Sequence, residues 1–289
     1  MVPDPFLNYG SKTFIMGIVN VTPDSFSGDG LLANSQVIQR ALEQAARFVE
    51  AGADILDIGG ESTRPGAEAV SAAEEMDRIL PVIKAILDLK LNILLSVDTY
   101  KASVAEAALL NGVHWVNDIW GLRADEGMAA VVADFHAPVV LMHNRSQAGK
   151  VILKDRLGGQ YIGSNYTHFM EEVKDDLLGL VEKAKGAGIQ AEQIILDPGV
   201  GFGKTVSQNL ELVNRLDEIK ALGCPVLLGP SRKSFIGYTL DLPPEERLEG
   251  TAAVCAVGIV RGADILRVHD VEAIARVAKM SDALVRTPK

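Results

Sequence analysis

Polar and charged residues recur where the short apolar runs of this sequence end. Carboxylates, amides and cations gathered in one place can bind a small anionic molecule and stabilise developing charge. A single carboxylate at such an end could instead cap the next helix, above all at Asp118 or Asp270. Polar ends on every run are hard to explain as caps alone, so we expect a site. The residues at these ends are Asn20, Asp57, Glu61, Asp98, Asn117, Asp118, His143, Asp197, Ser231, Arg232, Lys233, Arg267 and His269.

Two loops rich in glycine and hydroxyl groups follow the first two apolar runs. Their sequences are NVTPDSFSGDG (20–30) and ESTRPGA (61–67). Pro-Asp-Ser and Gly-Asp-Gly favour turns, so both segments could be plain surface loops. Loops on the face that carries the polar strand ends could also close over a ligand.

Three familiar catalytic motifs are excluded, because the residues that each requires are missing at the required positions. GVGFGKT (199–205) resembles a nucleotide-binding P-loop, but the position five residues before Gly203 is Pro198 rather than glycine. GPSRK (229–233) lacks the second glycine of a nucleophile elbow. The five histidines show neither H-E-x-x-H nor zinc-ligand spacing with cysteine. The chemistry must therefore come from the strand ends and the loops.

The elements that position these residues are predicted from the apolar pattern. The apolar runs are continuous and rich in β-branched residues, as in parallel strands that are buried on both faces. We predict strands at 14–21, 55–60, 92–98, 115–119, 138–143, 194–199, 225–231 and 265–270. Stretches of helical period lie between them, at 36–51, 72–89, 101–110, 126–135, 166–187, 206–222, 245–261 and 272–285.

Eight strands, each followed by a helix, predict a (β/α)₈ TIM barrel, an α/β fold in which helices surround a parallel barrel. A doubly wound open sheet is the alternative. The repeat of GADIL in EAGADILDIGG and VRGADILRVHD indicates one βα unit used twice. Segment 144–164 is long and polar and is predicted to be a loop. Nothing in the composition suggests a second domain, so residues 1–289 are predicted to form one domain.

Composition narrows the classes of function. The 289 residues carry 28 Lys and Arg against 38 Asp and Glu, a net charge of −10, with 48% hydrophobic residues. This excludes disorder and makes binding to nucleic acid or an anionic membrane improbable. Cys224 and Cys255 lie in apolar stretches and are expected to be reduced thiols. With no window of about 18 apolar residues and no signal pattern at the start, we expect a cytoplasmic protein, or an organellar one whose targeting segment is absent.

Nine motifs in order, between about residues 13 and 271, resemble the dihydropteroate synthase family of folate biosynthesis. They are MGIVNVTPDSFSGDG, DIGGESTRPGA, LLSVDTYK, VNDIWG, VVLMHNR, ILDPGVGFGKT, LLGPSRKSFIG, RLEGTAA and ILRVHD. The resemblance implies a (β/α)₈ barrel and a transferase that requires Mg²⁺. In the implied reaction, 4-aminobenzoate displaces pyrophosphate from 6-hydroxymethyl-7,8-dihydropterin pyrophosphate and gives 7,8-dihydropteroate. Sulfonamides compete with 4-aminobenzoate in this family.

The resemblance also implies roles for the strand-end residues. The catalytic set would be Asp57, Asp98, Asp197, Lys233 and Arg267, with Asp57 near the reacting edge of the pterin. The pterin would be bound by Asp98, Asn117, Met142, Asp197, Phe202 and Lys233. The pyrophosphate would be bound by Asn20, Arg267 and His269, and Asn20 would also be a Mg²⁺ ligand.

The two loops would form the 4-aminobenzoate pocket. Its residues would be Thr22, Pro23, Phe26, Thr63, Arg64, Pro65, Lys233 and Ser234. A homodimer is expected from the family, with apolar residues of the last helices at its interface, although packing against the barrel would explain these residues equally well (Val254, Val257, Ile259 and Val277). Two alternatives stay open: the methyltetrahydrofolate-binding domain of a corrinoid methyltransferase, and a non-catalytic pterin-binding paralogue.

Overall fold

The computed structural model describes residues 5–22, 31–62, 69–146, 151–154, 156–161 and 166–286. Eight strands there form one parallel sheet, and two form an antiparallel pair. The strands are β1 (Phe14–Asn20), β2 (Ile55–Gly59), β3 (Leu94–Asp98), β4 (Trp115–Asp118), β5 (Val139–Met142), β6 (Val151–Lys154), β7 (Gly158–Tyr161), β8 (Ile194–Asp197), β9 (Leu227–Leu228) and β10 (Ile265–Val268).

Helices follow the strands of the parallel sheet and surround it. The helices are α1 (Leu31–Glu50), α2 (Ala72–Asp88), α3 (Ala102–Leu110), α4 (Met128–Asp134), α5 (Phe169–Gly186), α6 (Val206–Asn214), α7 (Leu216–Lys220), α8 (Ser234–Leu240), α9 (Leu248–Val260) and α10 (Val271–Val285). None of the helices in the described ranges is long and apolar enough to cross a membrane.

The parallel sheet closes into a barrel. Its strand order is β8-β5-β4-β3-β2-β1-β10-β9, with every neighbouring pair parallel. The two ends of this order meet, because Leu196 pairs in parallel with Val226 and the Leu196 amide donates to the Pro225 carbonyl at 2.9 Å. The predicted TIM barrel is confirmed, and the open sheet is wrong. That the chain is one domain throughout stays a prediction.

Two apolar layers stabilise the barrel. The interior holds a compact cluster that includes Met16, Trp115 and Ile265, while a larger cluster fills the space between strands and helices. Trp115 is fully buried, and its indole Nε1 donates to the carbonyl of Pro5 at 2.8 Å. The segment before β1 therefore packs at the amino-terminal end of the barrel, and the opposite end is left for the polar residues.

The GADIL repeat marks two equivalent turns. Gly52 precedes β2 with φ 97°, and Gly262 precedes β10 with φ 102°. Both glycines end a helix in the left-handed region, where a Cβ is disfavoured. The prediction of one βα unit used twice is confirmed in these turns.

Segment 144–164 differs from the sequence prediction. It contains the hairpin β6–β7, in which Val151 pairs with Tyr161 and Lys154 with Gly158. The hairpin packs beside α8, where the Tyr238 hydroxyl donates to the Gly158 carbonyl at 3.1 Å. Its contacts come from residues about 80 positions away, and a local pattern does not reveal such contacts.

Two other predictions need small corrections. The predicted helix 206–222 is two helices, α6 and α7, separated at Arg215, whose guanidinium binds Glu211 and Glu218. The predicted strand 225–231 is shorter in the structure: β9 covers Leu227–Leu228, with bridging hydrogen bonds at Pro225 and Val226, and the chain then turns toward α8. Cys224 and Cys255 are free thiols, as expected; Cys255 is buried and Cys224 is half-buried. The cytoplasmic location stays a prediction.

Candidate active site

The carboxyl ends of the barrel strands bring together most of the predicted site residues. Strand register aligns Asp98 with Asn117 and Met142 with Asp197. Asp57 on β2 and Arg267 on β10 reach each other across the barrel, although 210 positions separate them in the chain. The strands that carry these polar groups are buried on both faces, so the groups lie in an environment of low dielectric constant.

Arg267 lies between two carboxylates. Its Nε donates to Oδ2 of Asp57 at 2.6 Å, and its Nη2 donates to Oδ2 of Asp98. Asn117 donates from Nδ2 to the same Asp57 oxygen at 2.9 Å. The second oxygen, Oδ1, of both Asp57 and Asp98 is buried and has no hydrogen-bond partner among the residues that the structure describes. Since an unpaired buried acceptor costs about 1–3 kcal/mol, these two oxygens suit the N–H groups of a ligand.

Burial sets the protonation of this cluster. It raises the pKa of Asp98 to about 7, although the Arg267 charge acts in the opposite direction. Burial opposes the charge of Arg267 as well, but Asp57 and Asp98 raise the pKa of the guanidinium above its ordinary value. Arg267 therefore stays positive, while burial favours the neutral form of Asp98 more than water does.

Asp197 and Lys233 form the opposite wall. The Oδ1 atom of Asp197 accepts a hydrogen bond from the Gly199 amide at 2.7 Å. Lys233 donates from Nζ to the Val200 carbonyl and lies 4.5 Å from the centroid of the Phe202 ring. Burial lowers the pKa of Lys233 to about 8, partly offset by Asp197, and burial raises the pKa of Asp197. Burial thus weakens the charged form of both groups relative to water.

Glycine at position 201 lets this wall form. Gly201 has φ 79°, and a Cβ there would lie 2.6 Å from Cδ of Lys233. The loop after β8 therefore lies directly on the lysine stem. Met142, 2% exposed at the end of β5, is paired in register with Asp197.

The predicted anion residues lie at the ends of β1 and β10. Asn20 is half-buried and pairs in register with Gly59 of β2. His269, just after β10, has Nδ1 3.0 Å from the Ser231 hydroxyl oxygen, and its amide donates to that oxygen at 3.1 Å. Ser231 thus orients His269. Across the described ranges, no group of three or more His, Cys, Asp or Glu residues is arranged to hold a metal.

The predicted 4-aminobenzoate residues are described only in part. Pro23, Phe26, Thr63, Arg64 and Pro65 lie outside the described residues. Thr22 and Ser62 are half-buried at the edges of the two loops, and Ser234 begins α8 directly after Lys233.

Asp118 has a capping role, as the alternative interpretation allowed, whereas Asp270 does not cap the next helix. Asp118 accepts from the amides of Trp120 and Leu122 at 2.8 and 2.6 Å, and so caps the turn after β4. Burial raises its pKa to about 6. Asp270 makes no side-chain cap of α10 and instead binds the Arg232 guanidinium through both oxygens.

One buried cation escaped the sequence analysis. Lys204, in the loop between β8 and α6, is 2% exposed and lies beside His143 at the end of β5. Its only sequence signal was the GFGKT motif, which fails as a P-loop and so gave no role for the lysine. His143 did stand out as a strand-end histidine, but its partners lie far away in the chain.

A closed parallel barrel with carboxylates and cations at the carboxyl ends of its strands defines an enzyme of the TIM-barrel class. The sequence model for pterin binding enzymes matches residues 16–269. A dihydropteroate synthase of Bacillus subtilis is 50% identical over 279 residues, which cover 96% of this chain and 91% of that protein. The chain belongs to the dihydropteroate synthase family, and its activity is that of this transferase.

Solved structures agree with this assignment. The dihydropteroate synthase of Clostridium difficile, crystallised in the presence of pteroic acid, is 48% identical with a TM-score of 0.87 and covers 97% of this chain and 100% of its own. The Xanthomonas albilineans enzyme with 4-aminobenzoic acid is 39% identical with a TM-score of 0.85, and the match covers 96% and 95% of the two chains. The corrinoid methyltransferase and non-catalytic alternatives are therefore set aside.

Proposed function

We propose that this chain condenses 6-hydroxymethyl-7,8-dihydropterin pyrophosphate with 4-aminobenzoate, and that the pterin binds among the strand-end carboxylates. The observation that carries this assignment is the pair of buried Oδ1 atoms of Asp57 and Asp98, which have no hydrogen-bond partner within the described part of the chain. A pterin presents N–H donors and ring acceptors along one edge. Two unpaired acceptors beside Asn117 and Arg267 match such an edge.

The remaining pterin contacts come from the opposite wall. Asp197 would accept further N–H groups, and Lys233 would donate to the ring carbonyl or a ring nitrogen. Met142 and Phe202 would lie against the faces of the ring. The position of the Lys233 ammonium over the Phe202 ring supports this arrangement, because a flat ring fits beside both groups.

The pyrophosphate would be bound by Asn20, Arg267 and His269. Arg267 keeps its charge because Asp57 and Asp98 lie beside it. The carbonyl oxygen of the Asn20 amide is a ligand that Mg²⁺ accepts, and Mg²⁺ usually keeps waters and substrate phosphates rather than a full protein cage. A site in which Asn20 supplies one protein oxygen, from among the described residues, fits this coordination preference of Mg²⁺. When bound, Mg²⁺ would supply charge that stabilises the pyrophosphate.

We infer a dissociative substitution. The bond between the pterin methylene carbon and the pyrophosphate oxygen breaks first, and its electron pair leaves with pyrophosphate. Asp57 and Asp197 stabilise the resulting pterin cation through their negative charge. The lone pair of the arylamine nitrogen then forms the new C–N bond to the methylene carbon, and the nitrogen releases one proton to solvent water. No covalent bond forms between the substrate and the protein. The protein therefore contributes by positioning the substrates and by electrostatic stabilisation.

The 4-aminobenzoate would bind beside the pterin, between Lys233, Ser234 and the loops that hold Thr22, Pro23, Phe26, Thr63, Arg64 and Pro65. The position of Ser234 directly after Lys233 supports this proposal, since one turn of chain then serves both substrates. The complex of the Xanthomonas albilineans relative with 4-aminobenzoic acid supports the same substrate class.

We also propose a homodimer formed through α9 and α10. Of the residues that the sequence indicated, Val257 is 44% exposed, whereas Ile259 is buried and Val254 packs against the core. Further apolar side chains are exposed on the same two helices, namely Val260, Met280 and Leu284. Adjacent exposed apolar residues on one face are typical of a protein–protein interface.

Pyrophosphate release tests the proposed reaction. The protein is incubated with dihydropterin pyrophosphate, 4-aminobenzoate and Mg²⁺, and both pyrophosphate and 7,8-dihydropteroate are measured. We expect the two products in equal amounts, loss of both when Mg²⁺ is chelated, and recovery when Mg²⁺ is restored. Correctly folded protein that releases neither product contradicts the reaction. Full turnover in the presence of chelator contradicts the Mg²⁺ requirement alone.

A further inference from the structure

Lys204 contacts two strand ends at once. Its Nζ donates to the carbonyls of Gly199 and Phe202, at 2.8 and 3.1 Å, within the loop after β8. The same atom lies 3.0 Å from Nδ1 of His143 and 3.5 Å from the His143 carbonyl, at the end of β5. A buried ammonium group is stable only where hydrogen bonds replace its water, and here both strand ends supply them.

His143 is held in one protonation state. Its Nε2 lies 3.0 Å from Oδ2 of Asp176, which also accepts from Nε of Arg145 at 2.6 Å. Burial, together with the Lys204 charge, lowers the pKa of His143 to about 4. A neutral ring that donates from Nε2 to the carboxylate leaves Nδ1 as an acceptor for Lys204. The lysine therefore is the donor in this contact.

The two strand ends that Lys204 joins both carry residues of the proposed pterin site. Met142 precedes His143, and Asp197 begins the loop that contains Gly199 and Phe202. The ends approach closely: a Cβ on Gly199 would lie 1.9 Å from the His143 carbonyl oxygen. Both segments present backbone carbonyl oxygens where they approach each other. Without a cation between them, these carbonyl dipoles would repel one another.

The loop is also the support of Lys233, whose Nζ donates to the Val200 carbonyl. Asn209 holds the outer side of the same loop, since its Oδ1 accepts from the Gly201 amide at 2.6 Å. Lys204 holds the inner side. The placement of Asp197, Phe202 and Lys233 thus depends on a loop fastened at two points.

We propose that Lys204 is a positioning residue: its ammonium group ties the end of β5 to the loop after β8 and so sets the distance between the two walls of the pterin site. The proposal rests on the proposed pterin site. Lys204 contacts neither the described carboxylate cluster nor the proposed pyrophosphate residues. Its removal should therefore weaken pterin binding more than it slows the chemical step.

The charge of Lys204 gives a second readout. Burial lowers its pKa to about 7, while Asp197 acts in the opposite direction. The other charged or titratable groups that face it are Lys233, Arg145, Asp176 and His143. Above this pKa the neutral amine has only two hydrogens for its four acceptor contacts, one hydrogen fewer than the ammonium group. Because Asp98, whose pKa is also about 7, titrates in every variant, the readout is the affinity of the wild type relative to that of Lys204→Arg at the same pH. This relative pterin affinity should fall as the pH rises through about 7, ahead of any loss that follows deprotonation of Lys233, whose pKa is about 8.

The test uses Lys204→Met, which keeps the stem and removes the charge, and Lys204→Arg, which keeps the charge at alkaline pH. Lys174→Met is the matched control, because Lys174 binds Glu218 between the outer helices α5 and α7. Binding of 6-hydroxymethylpterin is measured by calorimetry across pH. Hydrogen exchange follows the amides of the loop 199–204, and steady-state kinetics separate KM from kcat.

For Lys204→Met we expect pterin affinity to fall about tenfold to a hundredfold, the range for hydrogen bonds to a charged group. KM for the pterin substrate should rise by a similar factor, kcat should change less, and the loop amides should exchange faster. Lys204→Arg should bind pterin without the loss of affinity near pH 7 that deprotonation of Lys204 causes. Lys174→Met should match the wild type in every measurement.

Unchanged pterin affinity and loop exchange in Lys204→Met would overturn the proposal. If that variant does not fold, Lys204→Arg decides: the same alkaline loss of affinity as in the wild type overturns the proposal. Failure of the pterin site itself looks different. In that case Asp197→Asn would bind the pterin normally, whatever happens to the loop amides in Lys204→Met.

Discussion

Asp197 is the residue whose charge and geometry the proposed site uses most directly. One carboxylate oxygen accepts the Gly199 amide, and the side chain is 5% exposed beside Lys233. An asparagine there would place N–H donors against a donor ligand edge and would remove the negative charge. We expect Asp197→Asn to lose about tenfold to a hundredfold in pterin affinity, with turnover lost in parallel.

Calorimetry with 6-hydroxymethylpterin and a pyrophosphate-release assay measure the two losses for Asp197→Asn. Asp175→Asn, an exposed carboxylate on α5, is the matched control for a change of one charge. Wild-type affinity in Asp197→Asn would show that another group reads the pterin. A loss that the control shares would trace to net charge rather than to the site.

Single residues of the site are predictable where a short strand places them at its end. Asp98, Asn117 and Asp197 follow directly from strand boundaries, because the carboxyl ends of parallel strands share one face, while Asp57 lies two residues before the end of β2. Lys204 and His143 are 61 positions apart in the chain and are in contact because the loop after β8 folds back toward the end of β5. Sequence spacing does not predict how that loop folds back, so the contact is known only from the structure.

At the scale of elements, the loop between β8 and α6 has the tightest backbone approach near the site. Gly199 has φ 69°, and a Cβ on it would overlap the His143 carbonyl oxygen. Gly223 also has a positive φ of 90°, but a Cβ there would meet nothing within 4 Å. These two glycines separate the effect of backbone conformation from the effect of close packing.

We expect Gly223→Ala to lower the free energy of unfolding by about 1–2 kcal/mol, the strain of a left-handed residue with a Cβ. Gly199→Ala should destabilise the protein by clearly more, because the end of β5 must also move. Urea denaturation followed by circular dichroism gives both values. Equal losses in the two variants would mean that the loop after β8 yields easily, which contradicts a tightly fastened loop.

Elements with strong local patterns were predictable, and those defined by distant contacts were not. The barrel strands are continuous apolar runs, and their positions follow from that pattern alone. The interruption between α6 and α7 depends on Arg215, which binds a glutamate on each side. Hairpin β6–β7 is secured by α8 and by Arg247, whose guanidinium donates to the Leu157 carbonyl at 3.1 Å. Neither the break between α6 and α7 nor the hairpin alters the spacing of apolar residues in the sequence, so the sequence pattern did not reveal them.

For the whole molecule, the net charge of −10 describes the surface and not the site. The cations of the site are shielded from bulk water to different degrees: Lys204 beneath the loop is buried, while Arg267 between two carboxylates and Lys233 over Phe202 are half-buried. Buried charges are screened by salt much less than exposed ones. An acidic protein can therefore hold an anionic pyrophosphate, because the local field of the pocket acts on it at short range.

The exposed apolar face of α9 and α10 yields a prediction about the assembled molecule. Leu284 is 73% exposed and Val260 is 62% exposed on these two helices, whereas Leu110 is 70% exposed on α3, another part of the barrel wall.

If α9 and α10 form the homodimer interface, a glutamate at Leu284 becomes a buried unpaired charge in the dimer, which is strongly unfavourable. Leu110→Glu introduces the same change outside this face. We expect sedimentation to show a dimer for the wild type and Leu110→Glu, and a monomer for Leu284→Glu at the same concentration. A dimer that persists in both Leu284→Glu and Val260→Glu would place the interface elsewhere on the barrel.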